Sequence, residues 1–424
     1  MKKCLLLFAA AAISSSVYAQ DNARFITTAD SLHIYEVMRE NAPQNPNIKD
    51  VSRFTLVGKD SKFYLGMGAN VKMVGDFDWG DPISNPNIFA PKDLKAPAEP
   101  GDRGQTLFSV GQSNIYWNFV ALPGSKNQVG LFFDVIFLGQ TSKPVIEIHH
   151  LYMKYRGFTA GYVVSTFTDL KAEPKSIDFG GPNAMCLVRH PNIYYTARFG
   201  KDKMWSAQLG LDMPDMASFN NWGQTKKVNQ RMPDIPLFLQ RSWAGGNGWL
   251  RASAIFRDLQ YRDLVAKRNL GENKGVFGWG VKLSGKTPIG GGLSANYMAV
   301  YGKGISSYIQ DLSGEEEDLI LAKGSQEKLQ AVPVWGAYGS LEYAFGKCGF
   351  INFTYSQVRA YANHTGAAGI GEMYKYGQYV TSNLIFNVSS FAQVGVEYLW
   401  GRRMNYNGTQ NHDNRVMLML NVSI

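Results

Sequence analysis

The sequence predicts an all-β fold, a transmembrane antiparallel β-barrel of about sixteen strands with long extracellular loops and short periplasmic turns. Three observations support this prediction: an alternating C-terminal segment, an export signal at the N-terminus, and many similar alternating segments between them. In residues 415–424, Val416, Leu418 and Leu420 fall on one face of a strand. About ten alternating residues are the length of a strand that crosses a bilayer inside a closed barrel.

The first 19 residues are typical of a signal peptide. Lys2 and Lys3 precede a short apolar run, and small residues at Val17 and Ala19 suit cleavage after Ala19. The apolar run is too short to anchor the chain as a membrane-spanning helix. We therefore exclude residues 1–19 from the fold and expect export to the outer membrane of a Gram-negative bacterium.

Composition and charge argue against two classes of protein, those that cross a membrane with helices and those that bind nucleic acid. The 424 residues carry a formal net charge of +9 and have a mean hydropathy of −0.20. After the signal peptide no stretch approaches 18 apolar residues, so no helical span is predicted. The positive charge is dispersed along an exported chain, which argues against nucleic acid as a partner.

Alternating segments divide the chain into sixteen predicted strands, and the connections between them are alternately long and short. An even number is what single-chain bacterial barrels require, and both ends of the barrel then lie on the periplasmic side. A soluble β-sandwich would not account for both the export signal and this asymmetry of the loops. The predicted strands cover residues 63–76, 105–120, 128–139, 147–156, 158–168, 192–200, 204–213, 235–243, 249–262, 276–284, 290–302, 334–346, 350–360, 376–388, 391–401 and 415–424.

We assign residues 61–424 to the barrel and residues 20–60 to a periplasmic lead-in that could enter the barrel mouth. Within the lead-in, residues 29–42 are compatible with a short helix whose apolar stripe contains Leu32, Tyr35 and Met38. This stripe is far shorter than a coiled coil needs.

Charged residues on alternating strands are expected to face the lumen. A charge on the lipid face near the middle of the bilayer costs about 2–4 kcal/mol, so Arg251 and Arg257 should point inward. Inward guanidinium groups attract anions and bind carboxylates in a bidentate manner. The alternative, equally open from the sequence, is that these arginines pair with Asp134, Glu342 and Glu397 and brace the barrel.

The long segment 169–191 is the predicted constriction. It contains opposed charges, including Asp178 and Arg189, and the rigid turn Gly180-Gly-Pro182. Such a loop can fold into a lumen and narrow it, with Asp134 and Asp178 as opposing or bracing charges. The alternative is a solvated surface loop.

Four segments in series resemble the DcaP-like porins: Pro100 to Ser113 (PGDRGQTLFSVGQS), Ser165 to Leu170 (STFTDL), Ile177 to Pro182 (IDFGGP) and Val188 to Pro191 (VRHP). The resemblance covers roughly residues 60–200. It implies a trimeric outer-membrane channel associated with uptake of small anionic, dicarboxylate-type solutes.

Three positions depart from the pattern of this family. Asn114, His149 and Tyr194 stand where the family has a basic residue, whereas Arg189 is retained. The resemblance therefore supports the fold and a homotrimer more strongly than it supports selectivity for anions.

Chemistry other than transport has little support in the sequence. His149 and His150 are neighbours in a predicted strand, so their side chains are expected to point to opposite faces and not to share a metal. No Gly-x-Ser-x-Gly elbow is present. We predict no catalytic residues, no metal and no cofactor.

The predicted function is an outer-membrane porin for passive diffusion of small hydrophilic solutes, with a preference for anionic, dicarboxylate-type solutes. Outer-membrane lipid and lipopolysaccharide are its expected surroundings. The alternatives are a barrel enzyme, such as a lipase or protease, and a surface adhesin. The predicted pore-lining residues are Arg189, Arg198, Arg251, Arg257, Lys72, Asp134, Asp178, Tyr194 and Asn114.

Overall fold

A computed structural model describes residues 24–49, 51–139, 143–215, 217–220, 225–264, 273–322, 325, 328–362 and 370–424. The predicted signal peptide, residues 1–19, lies outside these residues. Sixteen long antiparallel strands pair in chain order, and the last strand pairs with the first, which closes a barrel. The strands are β1 (Phe63–Asp78), β2 (Asn114–Ala121), β3 (Val129–Ile136), β4 (Glu147–Tyr155), β5 (Phe158–Val164), β6 (Arg189–Phe199), β7 (Trp205–Asp212), β8 (Ile235–Trp243), β9 (Gly248–Asp263), β10 (Asn273–Gly290), β11 (Leu293–Lys303), β12 (Pro333–Ala344), β13 (Gly349–Ala360), β14 (Tyr374–Asn387), β15 (Ala392–Asn405) and β16 (Gln410–Ser423).

The alternation read from the sequence corresponds to the two faces of this barrel. In β16, Leu418 and Leu420 are 48% and 51% exposed on the outer wall, while Met417 and Met419 point into a buried interior. An outward apolar band with a filled lumen is the arrangement of membrane barrels. The predicted fold class and strand count are confirmed.

One predicted strand, residues 105–120, is interrupted. A short strand, Gln105–Ser109, pairs with β1 so that Ser109 lies opposite Val74, and β2 starts with Asn114 opposite Asn70. The four residues 110–113 stand opposite the three residues 71–73 of β1, and they form a turn in which the Ser113 N–H donates to the Val110 carbonyl (3.0 Å).

One end of the barrel carries short turns and the other carries longer connections, which we call the turn end and the loop end. The tightest turn, at Arg156 and Gly157, has positive φ at both residues (47° and 86°), as a two-residue hairpin requires. At the loop end, segments 79–104 and 165–188 and the described residues of segment 304–332 fold into the lumen, where Phe89, Ile177 and Leu312 are buried. The main core of the protein therefore lies inside the barrel.

The N-terminal segment occupies the mouth at the turn end. Short strands Arg24–Thr27 and Phe54–Val57 pair with each other, and the second also pairs with β1. Between them lies helix α1 (Leu32–Asn41), which Ser31 caps by accepting a hydrogen bond from the backbone N–H of Ile34 (3.4 Å).

A helix forms within the predicted region, but of the expected apolar stripe only Met38 is buried. Ile34, Val37 and Met38 are buried, whereas Leu32 is 71% exposed. This face packs against the barrel wall, and the Asn41 side chain at the end of the helix donates to the Asn118 Oδ1 on β2 at 2.7 Å. None of the helices in the described part of the chain has the length and apolar character needed to cross a bilayer.

Candidate functional site

Segment 165–188 lies in the lumen and is held by hydrogen bonds to the strands of the barrel wall. The Glu397 carboxylate on β15 accepts hydrogen bonds from the Ser176 hydroxyl and from the backbone N–H groups of Ile177 and Asp178, all at 2.9 Å. Further along, the backbone N–H of Ala184 donates to the Ser356 hydroxyl on β13 at 3.1 Å. The segment is therefore fixed in place inside the barrel.

Asp178 joins this segment to segment 79–104. Its carboxylate accepts hydrogen bonds from the backbone N–H of Phe89 (2.9 Å) and from the Tyr379 hydroxyl (3.0 Å). Burial raises the pKa of Asp178 to about 7. Asp178 thus braces two inserted loops and does not face open water.

Two cavities open at the turn end, on either side of the N-terminal segment, and together we call them the vestibule. Their volumes are about 1240 and 910 Å³, and both are lined by Lys171 and Trp249. The larger cavity lies against the inward faces of β4 to β9. Its charged lining residues are Lys126, Lys154, Arg156, Lys171, Arg198, Lys203 and Arg251, with Glu40 and Asp202 as the acidic ones.

The smaller cavity is also basic. Arg39, Lys49 and Lys286 contribute to its wall, and no acidic residue is among its described lining residues. The Lys171 side chain is exposed to the cavity, but desolvation by the surrounding protein and the neighbouring Arg251 lower its pKa to about 8, so its ammonium group is largely charged at neutral pH. The vestibule therefore carries an excess of positive charge.

Arg251 is the most precisely held of these cations. Its Nε donates to the Gln240 Oε1 (2.9 Å), its Nη1 donates to the Thr168 carbonyl (3.1 Å), and its guanidinium lies 4.0 Å from the Phe238 ring centroid. Asp169 approaches at 3.5 Å. One face of the guanidinium packs against the wall, and the group remains at the edge of the cavity.

Arg198 and Tyr194 also line the larger cavity. Arg198 is exposed and pairs with Glu40 of α1. The structure therefore brings three of the predicted pore-lining residues, Arg198, Arg251 and Tyr194, to one cavity.

Arg257 does not line an open space. It is 2% exposed and forms ion pairs with Asp234 (2.9 Å) and Asp318 (3.2 Å). The lining role predicted for Arg257 is wrong, and the bracing alternative describes it, because loops that cannot be placed from sequence bring two carboxylates to it.

Lys72 and Asn114 are likewise buried away from the vestibule. The Lys72 ammonium donates to the Ile177 carbonyl (3.0 Å), and the Asn114 side chain accepts a hydrogen bond from Asn70 (2.7 Å). Lys72 therefore holds segment 165–188 against β1, whereas Asn114 links β2 to β1.

Asp134 and Arg189 belong to a separate buried cluster with His149 and His150. The two histidine Nδ1 atoms donate to the two Asp134 oxygens at 2.8 and 3.0 Å. The expectation that the histidines face opposite sides is wrong, because the register shifts between Asp134 and Val135 and the resulting bulge turns both rings inward. Arg189 Nε lies 3.4 Å from His150 Nε2.

Sequence reasoning missed several residues of the vestibule. Gln208, Gln240 and Trp249 line it, and the polar positions alternate with outward apolar ones in β7 and β8, so alternation could have identified the two glutamines. Glu40 carried no such signal, since its position depends on how α1 docks in the barrel.

Comparison with known proteins shows the fold. No protein-family model and no curated protein matches the sequence. The outer membrane channel DcaP of Acinetobacter baumannii superposes with a TM-score of 0.72 at 17% sequence identity, over 86% of this chain and 99% of that one. OmpT of Vibrio cholerae (TM-score 0.53, 11% identity, 87% and 100% of the two chains) and an anion-selective porin from Comamonas acidovorans (0.50, 9%, 85% and 100%) are also similar. The chain thus has the β-barrel fold of outer-membrane channels.

Proposed function

We propose that the protein is a porin of a Gram-negative outer membrane that passes small hydrophilic solutes by passive diffusion and prefers anions. The observation that carries the proposal is the vestibule, whose larger cavity has seven basic and two acidic lining residues. Low-dielectric walls of one sign of charge focus the field and raise the local concentration of counter-ions. The similarity in fold to outer-membrane channels supports the role in transport.

Carboxylates suit the larger cavity best among small anions. Arg251 has a fixed orientation at its edge, and the exposed Lys171 stands in the same cavity. The Arg251 guanidinium, whose Nε and Nη1 already donate to Gln240 and Thr168, supplies a positive charge at a fixed place, and the Lys171 ammonium adds a mobile second charge. A solute with two carboxylates could interact with both groups, which is the dicarboxylate preference we propose.

Charge reversal at Lys171 tests the proposal. Lys171→Glu changes the charge of the cavity by two units, and one charge acts on an ion 4 Å away with about 1 kcal/mol in water. We expect reversal potentials in a salt gradient to show an anion preference for the wild-type channel. Salt screens charges in a water-filled cavity, so in Lys171→Glu the ratio of anion to cation permeability should fall by roughly threefold to tenfold, less than the unscreened change of two charges would give.

The matched control is Lys201→Glu, an exposed residue in the turn after β6 that does not line either cavity. It makes the same change of charge and should leave the permeability ratio unchanged. A cation preference of the wild-type channel, or equal effects of the two variants, would contradict the proposal.

We propose a homotrimer surrounded by outer-membrane lipid and lipopolysaccharide. Support comes from the fold shared with a Vibrio cholerae OmpT described in a trimer form (TM-score 0.51, 10% identity). Leu209, Phe277 and Leu341 are examples of outward side chains that are half or more exposed on the isolated chain. Such an apolar outer wall is suited to lipid and to neighbouring subunits.

Ser165, His190 and Asp212 lie together, but their geometry does not match that of a hydrolase. Ser165 donates its hydroxyl to Asp212 at 2.5 Å, and His190 also contacts Asp212 (3.1 Å). A catalytic serine needs to donate to the histidine instead. All three residues are buried, which supports a structural role.

A further inference from the structure

The bulge in β4 creates a group of metal-ligand types that strand alternation would have separated. Asp134, His149 and His150 each place one potential ligand atom within 4.8 Å of the others, and all three side chains are buried. The two imidazole rings lie 4.3 Å apart between centroids. Two imidazoles and one carboxylate are a ligand set that suits zinc and related transition metals.

We propose that Asp134, His149 and His150 form a binding site for a divalent transition metal of the zinc type in the wall of the lumen. Both histidines direct Nδ1 at the same carboxylate, with N–O distances of 2.8 and 3.0 Å. Zinc bonds of about 2.0–2.1 Å place tetrahedral ligands roughly 3.4 Å apart. The two N–O contacts, each to a different oxygen of Asp134, are somewhat shorter than this, and one ligand atom of each residue lies within 4.8 Å of the others, so modest movements of the side chains would admit a metal ion. The site would resemble a three-ligand centre with an open fourth position.

Hydrogen bonding alone leaves part of this group unsatisfied. The Nε2 atom of His149 is buried and has no hydrogen-bond partner, although buried polar atoms are normally paired. The His149 ring instead lies 5.9 Å from the ring of Phe179, in the inserted segment 165–188. Because the proposed metal binds at Nδ1, this nitrogen lacks a partner with or without metal, and the support for the site is the convergence of the three ligand groups.

Metal binding at the two Nδ1 atoms moves the proton of each neutral ring to Nε2, with no net loss of protons. On His150 this proton would face the Nε–H of Arg189, which is now a donor to that nitrogen at 3.4 Å. The positive charge of Arg189 also repels a cation. Arg189 therefore opposes metal binding, while the negative charge of Asp134 favours it.

Zinc titration of the detergent-solubilised full chain, by calorimetry and equilibrium dialysis, tests the site. We expect one Zn²⁺ per chain, with Co²⁺ competing and showing the visible absorption of a low-coordinate cobalt centre. His149→Gln should weaken zinc binding by about tenfold or more, since it removes a ligand outright. Arg189→Gln should strengthen binding, which a merely structural cluster would not show.

His412→Gln is the matched control, because His412 is exposed on the outer face of β16. It should bind zinc as the wild type does, and circular dichroism should show that each variant retains the barrel. If the wild type binds no zinc, or if His149→Gln binds it as tightly as the wild type does, the proposal is overturned.

Discussion

Replacing Glu397 with alanine is expected to release segment 165–188 in the lumen. Glu397 is fully buried and accepts hydrogen bonds from Ser176, Ile177, Asp178 and the Asn383 side chain. Each buried donor left without a partner costs about 1–3 kcal/mol, so the pinned conformation loses several kcal/mol. Single-channel recordings should show a larger conductance with frequent fluctuations between levels.

The barrel itself should survive this change, because its strands pair through the backbone. Glu147→Ala, at the exposed loop end of β4, removes a carboxylate from a strand without an anchoring role and serves as the control. A steady conductance of wild-type size in Glu397→Ala would show that segment 165–188 does not limit the pore.

Deleting residues 24–57 is expected to give the other large effect. This segment separates the two cavities of the vestibule, and α1 with its side chains occupies a cylinder about 10 Å across. The Asn47 side chain also connects it to segment 165–188, since it donates to Glu173 (2.9 Å). The deletion should merge the cavities and raise the single-channel conductance, with less discrimination among solutes of different size.

The deletion removes the hydrogen-bond partners of the Asn118 side chain and the Tyr152 hydroxyl. It also opens the barrel mouth to water, so both groups would be hydrated. The truncated barrel should therefore fold. Leu32→Ala in the full chain is the control, because Leu32 is largely exposed and contributes little to docking of the helix. An unchanged conductance after the deletion would exclude the segment from the permeation path.

The wall of the barrel was predictable because lipid on one side imposes a local constraint. Each strand must alternate, and this pattern is visible within about ten residues, as in β16. The prediction failed where one extra residue enters a strand. The bulge beside Asp134 turned His149 inward, and no feature of the composition of that segment indicates it.

The contents of the lumen were much less predictable, because they depend on contacts between distant parts of the chain. Arg257 was correctly placed on the inner face, but its partners Asp234 and Asp318 come from other connections, 23 and 61 residues away. Arg251 remains at the edge of the cavity. Arg257 is instead covered by Gly304, Ser307 and Asp318, to which its guanidinium donates hydrogen bonds. Strand periodicity predicts whether a side chain points inward or outward. Whether an inward side chain is exposed to water depends on how the loops pack inside the barrel.

The central claim is that the inward faces of β6 to β8 line a water-filled path while their outward faces meet lipid. Cysteines at two adjacent positions of β7 test it: Gln208, which lines the larger cavity, and Leu209, which is 55% exposed on the outer wall. Both substitutions are made in a Cys348→Ser background, because Cys348 is exposed and Cys186 is buried. A negatively charged, membrane-impermeant thiol reagent should modify Gln208→Cys and reduce its current, and it should leave Leu209→Cys unmodified in lipid. Equal labelling of the two positions, or labelling of Gln208→Cys with no change in current, would contradict the account.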